Sequence, residues 1–127
     1  MKVLSLEQMN RLKELGVDTS KASMCYISKY PSCDFDDGDS IVVVSKDFNK
    51  RLYNEFGPAF TLQDIIELLP YTFNNFYLKI YRGINMYYFI YESINSEDDI
   101  IEKGNTPLLA AYNMLIWVAE NGYLTSK

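Results

Sequence analysis

The stretch at residues 76–93 reads FYLKIYRGINMYYFIYES and decides the fold. Two runs rich in aromatic and β-branched residues, 76–82 and 86–93, flank the turn residues 83–85, which is a pattern typical of a β-hairpin. Neighbouring strands joined by so short a turn pair antiparallel. The hairpin therefore predicts an antiparallel sheet.

The two faces of this hairpin differ in character. Because side chains alternate along a strand, Tyr77, Lys79 and Tyr81 share one face, while Leu78 and Ile80 share the other. We expect Leu78 and Ile80 to pack against helices, which leaves Tyr77 and Tyr81 pointing outward. Outward tyrosines are typical of a recognition platform, although they also occur scattered on an ordinary amphipathic sheet face.

Capping and stop signals predict three helices. The first has a Ser/Gln capping box and a terminal glycine, the second ends at a proline, and the third has proline in its first turn. The signals are, in order, Ser5 with Gln8 and Gly16, Thr61 and Pro70, and Thr106 with Pro107 and Asn121-Gly122.

Further strands are predicted outside the hairpin. Residues 23–28 and the β-branched run 41–44 are typical strands, and residues 100–101 favour a short strand or a turn. Residues 46–60 are ambiguous, and a turn is expected at 57–58, where glycine precedes proline.

Together these elements predict an α+β fold in a single domain, residues 1–127. We expect an antiparallel sheet of four to five strands with three helices on one face, in the order α-β-β-α-β-β-(β)-α.

The composition disfavours several functions. The chain has no histidine, and 17 acidic against 12 basic residues give a net charge of −5. Histidine is the commonest metal ligand and general base, and duplex nucleic acid requires a basic footprint. We therefore expect no catalytic residue, no metal, no cofactor and no duplex nucleic acid partner. Neither a signal-peptide pattern nor a run long enough to span a bilayer is recognised, so we expect no membrane partner and a cytoplasmic location.

Two candidate chemical motifs have simpler interpretations. Asp34, Asp36, Asp37 and Asp39 form an acidic cluster, but its spacing does not match a calcium-binding loop, so a solvated turn is favoured. Cys25 lies within a predicted strand and is more typical of a buried structural thiol than of a nucleophile. Its spacing from the second cysteine, Cys33, does not fit a zinc site.

The third helix carries two apolar stripes instead of one. At 100° per residue, one contains Tyr112 and Leu115, and the other contains Ala110, Met114 and Trp117. Two apolar faces indicate either burial on both sides within the domain or contact with another chain. The interface interpretation makes Ala110, Met114 and Trp117 a binding surface, since Met and Trp are enriched at interface cores.

Three segments resemble a family of small uncharacterised proteins encoded by gut anaerobes of the Bacteroides group, often within prophage or mobile-element regions. The segments that carry the resemblance cover about half the chain: residues 6–25, residues 60–66, and residues 110–115 with 120–123. The resemblance implies a bacterial cytoplasmic protein of mobile-element origin and supplies no catalytic residue.

The sequence favours a non-enzymatic protein-interaction module that binds another protein or a second copy of itself through Ala110, Met114, Trp117, Tyr77 and Tyr81. The alternative is a small-ligand binder or a carboxylate-based enzyme with a cleft lined by Tyr and Asp or Glu. A deep acidic pocket would favour that alternative, and an exposed apolar patch would favour the interaction module.

Overall fold

The computed structural model describes residues 2–29, 41–49, 51, 53–95 and 98–124. Three α-helices and seven strands form within these residues, and the α+β class is confirmed. The helices are α1 (Leu6–Glu14), α2 (Leu62–Leu68) and α3 (Pro107–Glu120), and a 3₁₀ turn covers Thr19–Lys21. The strands are β1 (Met24–Lys29), β2 (Ile41–Ser45), β3 (Tyr53–Ala59), β4 (Thr72–Phe73), β5 (Phe76–Arg82), β6 (Tyr87–Ser93) and β7 (Ile100–Gly104).

The strands form two antiparallel sheets, where one sheet of four to five strands was expected. One sheet has the order β2-β1-β3, and the other has the order β4-β5-β6-β7. The difference arises from two strands that the sequence did not predict. Strand β4 has only two residues, and it turns into β5 through Asn74 and Asn75, whose φ angles of 47° and 70° fit a tight hairpin.

Strand β3 contains Gly57 and Pro58, so the turn predicted at these residues is wrong. Tyr26 of β1 lies opposite Gly57, but the next residue, Ile27, lies opposite Glu55. The chain bulges at this point, where Gly57 has a φ of 143° that few other residues adopt. Because β3 is an edge strand, Pro58 can stand in it without removing a hydrogen bond from a central ladder.

The main core lies between the four-stranded sheet and the three helices. Buried side chains from all these elements form one cluster that includes Leu12 of α1, Ile65 of α2, Tyr91 of β6 and Met114 of α3. Helix α3 crosses strands β6 and β7 and also contacts α2. It is therefore covered on more than one side within the domain.

A buried carboxylate connects α2 to the three-stranded sheet. Oδ2 of Asp64 accepts hydrogen bonds from the Thr61 amide at 2.9 Å, the Ser23 amide at 3.0 Å and the Ser23 hydroxyl at 2.9 Å. Thr61 in turn accepts a bond from the Asp64 amide, which completes the capping box at the helix start. Because Ser23 directly precedes β1, one side chain fixes both the helix end and the neighbouring sheet.

Strand β7 and helix α3 meet at a close approach that requires glycine. A Cβ atom added to Gly104 would lie 2.6 Å from the amide nitrogen of Ala110 and 2.9 Å from Cβ of Leu109. The Asn113 side chain, one turn further along α3, donates a 2.8 Å hydrogen bond to the carbonyl of Lys103. The end of β7 is therefore held directly against the first turns of α3.

Candidate interaction surface

The four-stranded sheet has a face that no described helix covers. Cross-strand partners lie on the same face of an antiparallel sheet, so the register places Tyr81 with Tyr88, Lys79 with Ile90, and Tyr77 with Glu92 on this side. Strand β7 adds Ile101 and Lys103, which pair with Ile90 and Tyr88. We call this side the outer face; it comprises Tyr77, Lys79, Tyr81, Tyr88, Ile90, Glu92, Ile101 and Lys103.

An open depression of about 610 Å³ occupies the end of the outer face near the β5–β6 turn. Ile84 at the tip of the turn is 95% exposed, Tyr81 is 57% exposed and Ile101 is 53% exposed. None of the lining side chains is charged. We call this depression the apolar groove; its lining residues are Tyr81, Gly83, Ile84, Asn85, Met86, Tyr88, Ile90 and Ile101.

The opposite end of the outer face is polar. Oε1 of Glu92 accepts a hydrogen bond from the Tyr77 hydroxyl at 3.2 Å. The same oxygen forms an ion pair with Nζ of Lys79 at 2.9 Å. These two donors, Lys79 first, lower the pKa of Glu92, and the same carboxylate raises the pKa of Lys79. Desolvation, followed by the bond to Glu92, raises the pKa of Tyr77. Lys79 and Tyr77 are thus already engaged within the domain.

The expected outward position of Tyr77 and Tyr81 agrees with the register. The two residues nevertheless differ in their surroundings: Tyr77 is half-buried against Glu92, whereas Tyr81 lies in the apolar groove with its ring 5.8 Å from that of Tyr88. On the other face, Leu78 packs against the core as expected, but Ile80 is exposed because it lies beyond the helices' cover.

Ala110 and Met114 are fully buried at 0% exposure, so the structure does not place them on a surface. This corrects the expectation that they contribute to an interface. The reason is that α3 is packed between the four-stranded sheet and α2, so both of its apolar sides face the same molecule. For these two residues, burial within the domain accounts for the second stripe.

Trp117 is half-buried inside an aromatic cluster of its own chain. Its ring stacks against Tyr123 at 5.7 Å and against Phe73 at 6.4 Å, and the rings of Phe73 and Tyr123 stack at 4.3 Å. Phe73 also contacts Tyr91 edge-on at 4.7 Å. Trp117 therefore fastens β4 and the segment after α3 onto the helix.

The sequence interpretation did not identify Ile84, Met86, Ile90 and Ile101 as surface residues. For Ile90, and for its neighbour Tyr88, the alternation along β6 was the available signal, because the residues on either side of them face the core. Only with β7 paired in register does Ile101 join them. The groove depends on three strands together, which local sequence patterns do not reveal.

Cavities also lie elsewhere among the described residues. One of about 440 Å³ lies between residues 2–4 and the start of α3, and one of about 30 Å³ lies between α1 and β3. Neither these two cavities nor the apolar groove has Asp or Glu in its lining. These three cavities are therefore not acidic clefts.

The two cysteines and the acidic cluster differ in whether the structure describes them. Cys25 is buried, as expected for a residue within β1. Cys33 and the acidic cluster at residues 34–39 lie outside the described residues. Within the described part of the chain, no group of three potential ligand residues is positioned to hold a metal ion, and no helix is long and apolar enough to cross a membrane.

Comparisons of the chain with models of known families, with curated proteins and with solved structures give no match.

Proposed function

We propose that the chain is a non-enzymatic protein-interaction module and that the apolar groove is its binding surface. The observation that carries this proposal is the contiguous set of exposed apolar side chains, Tyr81, Ile84 and Ile101, with Met86, Tyr88 and Ile90 between them. Contiguous exposed apolar surface is a common mark of a protein contact, and Tyr and Met are enriched at interface cores.

The chemistry of the groove favours a protein segment over a small polar ligand. Its lining is open and uncharged, and its polar side-chain groups are the amide of Asn85 and the hydroxyls of Tyr81 and Tyr88. Small-molecule sites generally enclose their ligand and place a few polar groups to orient it. An apolar side chain of a partner protein fits this groove better, with the tyrosine hydroxyls available to partner polar groups at its margin.

The carboxylates of the outer face do not favour the enzymatic alternative. Glu92 is the acidic residue of this face, and its carboxylate is engaged by Lys79 and Tyr77. Burial, and next the nearby Glu120, raise the pKa of Glu102, but Glu102 points to the helix side of β7 and does not line the apolar groove or the two cavities described above. A protein partner therefore remains the better-supported function.

The resemblance to a Bacteroides-group family extends the proposal to a cytoplasmic protein of mobile-element origin. Such a module would act by contact with host or phage proteins. The net charge of −5 and the pairing of Lys79 with Glu92 support the absence of duplex nucleic acid among its partners.

Site-specific photo-crosslinking tests this function in living cells. A photoreactive residue at Ile84, which is exposed at the groove, is expected to form protein adducts. The same residue at Val42 of β2, which is exposed on the other sheet, is the matched control. Adducts at Ile84 should disappear when Tyr81→Asp places a charge in the groove.

Three results would contradict the proposal: no adduct at Ile84, equal adducts at both positions, or adducts that persist with Tyr81→Asp. The mass of each adduct also distinguishes a different protein from a second copy of this chain.

A further inference from the structure

Strand β7 is an edge of the four-stranded sheet, and the hydrogen-bond pattern shows which of its backbone groups point outward. The β5–β6 ladder is bracketed by bonds from the Gly83 amide to the Met86 carbonyl at 2.8 Å and from the Ile94 amide to the Asn75 carbonyl at 2.9 Å. Bonded pairs alternate in an antiparallel ladder, so Tyr88 and Ile90 direct their backbone groups to β5.

The same alternation fixes the orientation of β7. Tyr87, Phe89 and Tyr91 must direct their backbone groups to β7, where they meet Gly104, Glu102 and Ile100. Ile101 and Lys103 consequently point their amides and carbonyls away from the sheet. The bond from Asn113 to the Lys103 carbonyl agrees with this orientation, because that carbonyl is not used by β6.

Three of the four outward groups have no partner within the described part of the chain. These are the amide and carbonyl of Ile101 and the amide of Lys103. Unpaired groups at strand spacing are a template for another strand, and natural sheets usually cover or charge such edges. Here one carbonyl is covered, and the neighbouring outer-face side chain is the exposed Ile101.

A second copy of the chain can pair with this edge in three short antiparallel registers. In the first register, Ile101 pairs with Lys103 of the second copy, which sets Glu102 directly opposite Glu102 of that copy. In the second register, Lys103 pairs with Lys103 of the second copy, which brings the two lysines together. Like charges directly opposite are destabilising. Pairing Ile101 with Ile101 avoids both contacts and uses the two unpaired groups of Ile101 on each copy.

The Ile101-centred register also provides charge complementarity. Two residues away from the centre, it sets Lys103 opposite Asp99 of the second copy, and symmetry produces this pair twice. Asp99 directly precedes β7 and has the same parity as Ile101. Its Oδ1 accepts a 3.1 Å hydrogen bond from the Ser93 amide, and a carboxylate engaged in this way can still accept a further bond from a lysine. A lysine on an edge strand ordinarily discourages pairing, but here it would meet a carboxylate.

We infer that the protein forms a symmetric dimer by antiparallel pairing of β7 with β7 of a second copy, centred on Ile101 and fixed by Lys103–Asp99 pairs. This inference goes beyond the proposed function, because the surface that it uses is the backbone edge of β7. The two four-stranded sheets join into a continuous sheet of eight strands, and both apolar grooves lie on its outer side.

A charge-swap experiment tests both the dimer and its register. Light scattering of the purified chain at micromolar and higher concentrations is expected to give twice the chain mass of 14.8 kDa. Lys103→Asp and Asp99→Lys each create two like-charge contacts in the homodimer, so each should weaken it about tenfold or more. An equimolar mixture of the two variants restores both pairs and should give a heterodimer.

Lys2→Asp, which makes the same charge change at an exposed residue of another region, is the control and should remain dimeric. Ile101→Glu is a second variant that keeps the side chain of Asp99 intact and should give monomers. Thermal melts establish that each variant is folded.

A wild-type mass of one chain at every concentration would overturn the inference, as would variants that stay dimeric or a mixture that stays monomeric. Ile84 and Tyr81 do not take part in this pairing. The crosslinking result at Ile84 therefore tests the proposed function independently of the dimer. A monomer with crosslinks to another protein would retain the proposed function and remove the dimer.

Discussion

The two faces of the four-stranded sheet are built from the same strands, but one is buried and the other is exposed to solvent. On the helix side, Phe89 and Tyr91 are buried under α3, and the Tyr91 hydroxyl donates a 2.6 Å bond to the Pro70 carbonyl. On the outer face, Tyr81 and Ile101 are exposed although they are equally apolar. The comparison teaches that the helices, and not the apolar content of the strands, decide which face becomes core.

The largest expected effect contrasts one residue from each face. Phe89→Ala should lower the free energy of unfolding by about 3–5 kcal/mol, because it leaves a cavity under α3. Tyr81→Ala should lower it by less than about 1 kcal/mol, because its side chain is already solvated. Urea melts at low chain concentration measure both. Equal losses would mean that the outer face is covered in solution.

Trp117→Ala is expected to cost about 2–3 kcal/mol of unfolding free energy, because it removes stacking on Phe73 and Tyr123 from a half-buried site. The molecular mass of the protein should not change. Trp117→Phe is the matched variant and should recover most of the stability. A fall in mass with unchanged stability would instead place Trp117 in an interface.

Asp64→Ala should cost about 2 kcal/mol, since it removes the α2 capping box and leaves the Ser23 amide and hydroxyl without their acceptor. Asp64→Asn keeps an acceptor oxygen and should cost less. Chemical denaturation of the two variants compares them directly. A loss of unfolding free energy below about 0.5 kcal/mol for Asp64→Ala would show that the hydrogen bonds of Asp64 contribute little to the stability of the fold.

A smaller effect concerns the polar end of the outer face. Lys79 and Tyr77 hold the pKa of Glu92 below its ordinary value of 4.5. The stabilisation from this contact is therefore present above pH 4.5 and is lost as the pH falls through the lowered pKa of Glu92. In NMR titrations, Lys79→Met should raise this pKa, whereas Lys13→Met should leave it unchanged. An unaltered pKa in Lys79→Met would contradict the assigned cause.

No effect is expected when duplex DNA is added. The outer face carries tyrosines that could stack on bases, but its Lys79 is paired and the chain is acidic overall. A gel-shift experiment at about 150 mM salt should show no complex. Micromolar binding that Tyr81→Ala removes would assign the outer face to nucleic acid.

The elements that the sequence predicted correctly have local causes. Thr61 and Asp64 are three residues apart, and Thr106 caps the amide of Leu109, so their hydrogen bonds can be inferred from spacing alone. The β5–β6 hairpin likewise follows from alternation on either side of a short turn. Each of these features depends on residues that are close in sequence.

The features that were missed depend on distant residues. Strand β3 exists because β1 pairs with it despite Gly57 and Pro58. The sequence left open whether Met114 is buried within the domain or in an interface, and it is buried because α3 contacts both the four-stranded sheet and α2. The apolar groove requires the register of β7 against β6. Tertiary packing decided all three, and it overrode or supplemented the local signals.

The close approach at Gly104 has a mechanical consequence. With no room for a Cβ atom at Gly104 and with Asn113 bonded to Lys103, strand β7 cannot move away from helix α3 without breaking this hydrogen bond. A load placed on the β7 edge would pass directly into α3. Helix α3 carries the buried side chains of Ala110, Ala111 and Met114. A force that pulls on the edge of the sheet would therefore also act on the packing of the core.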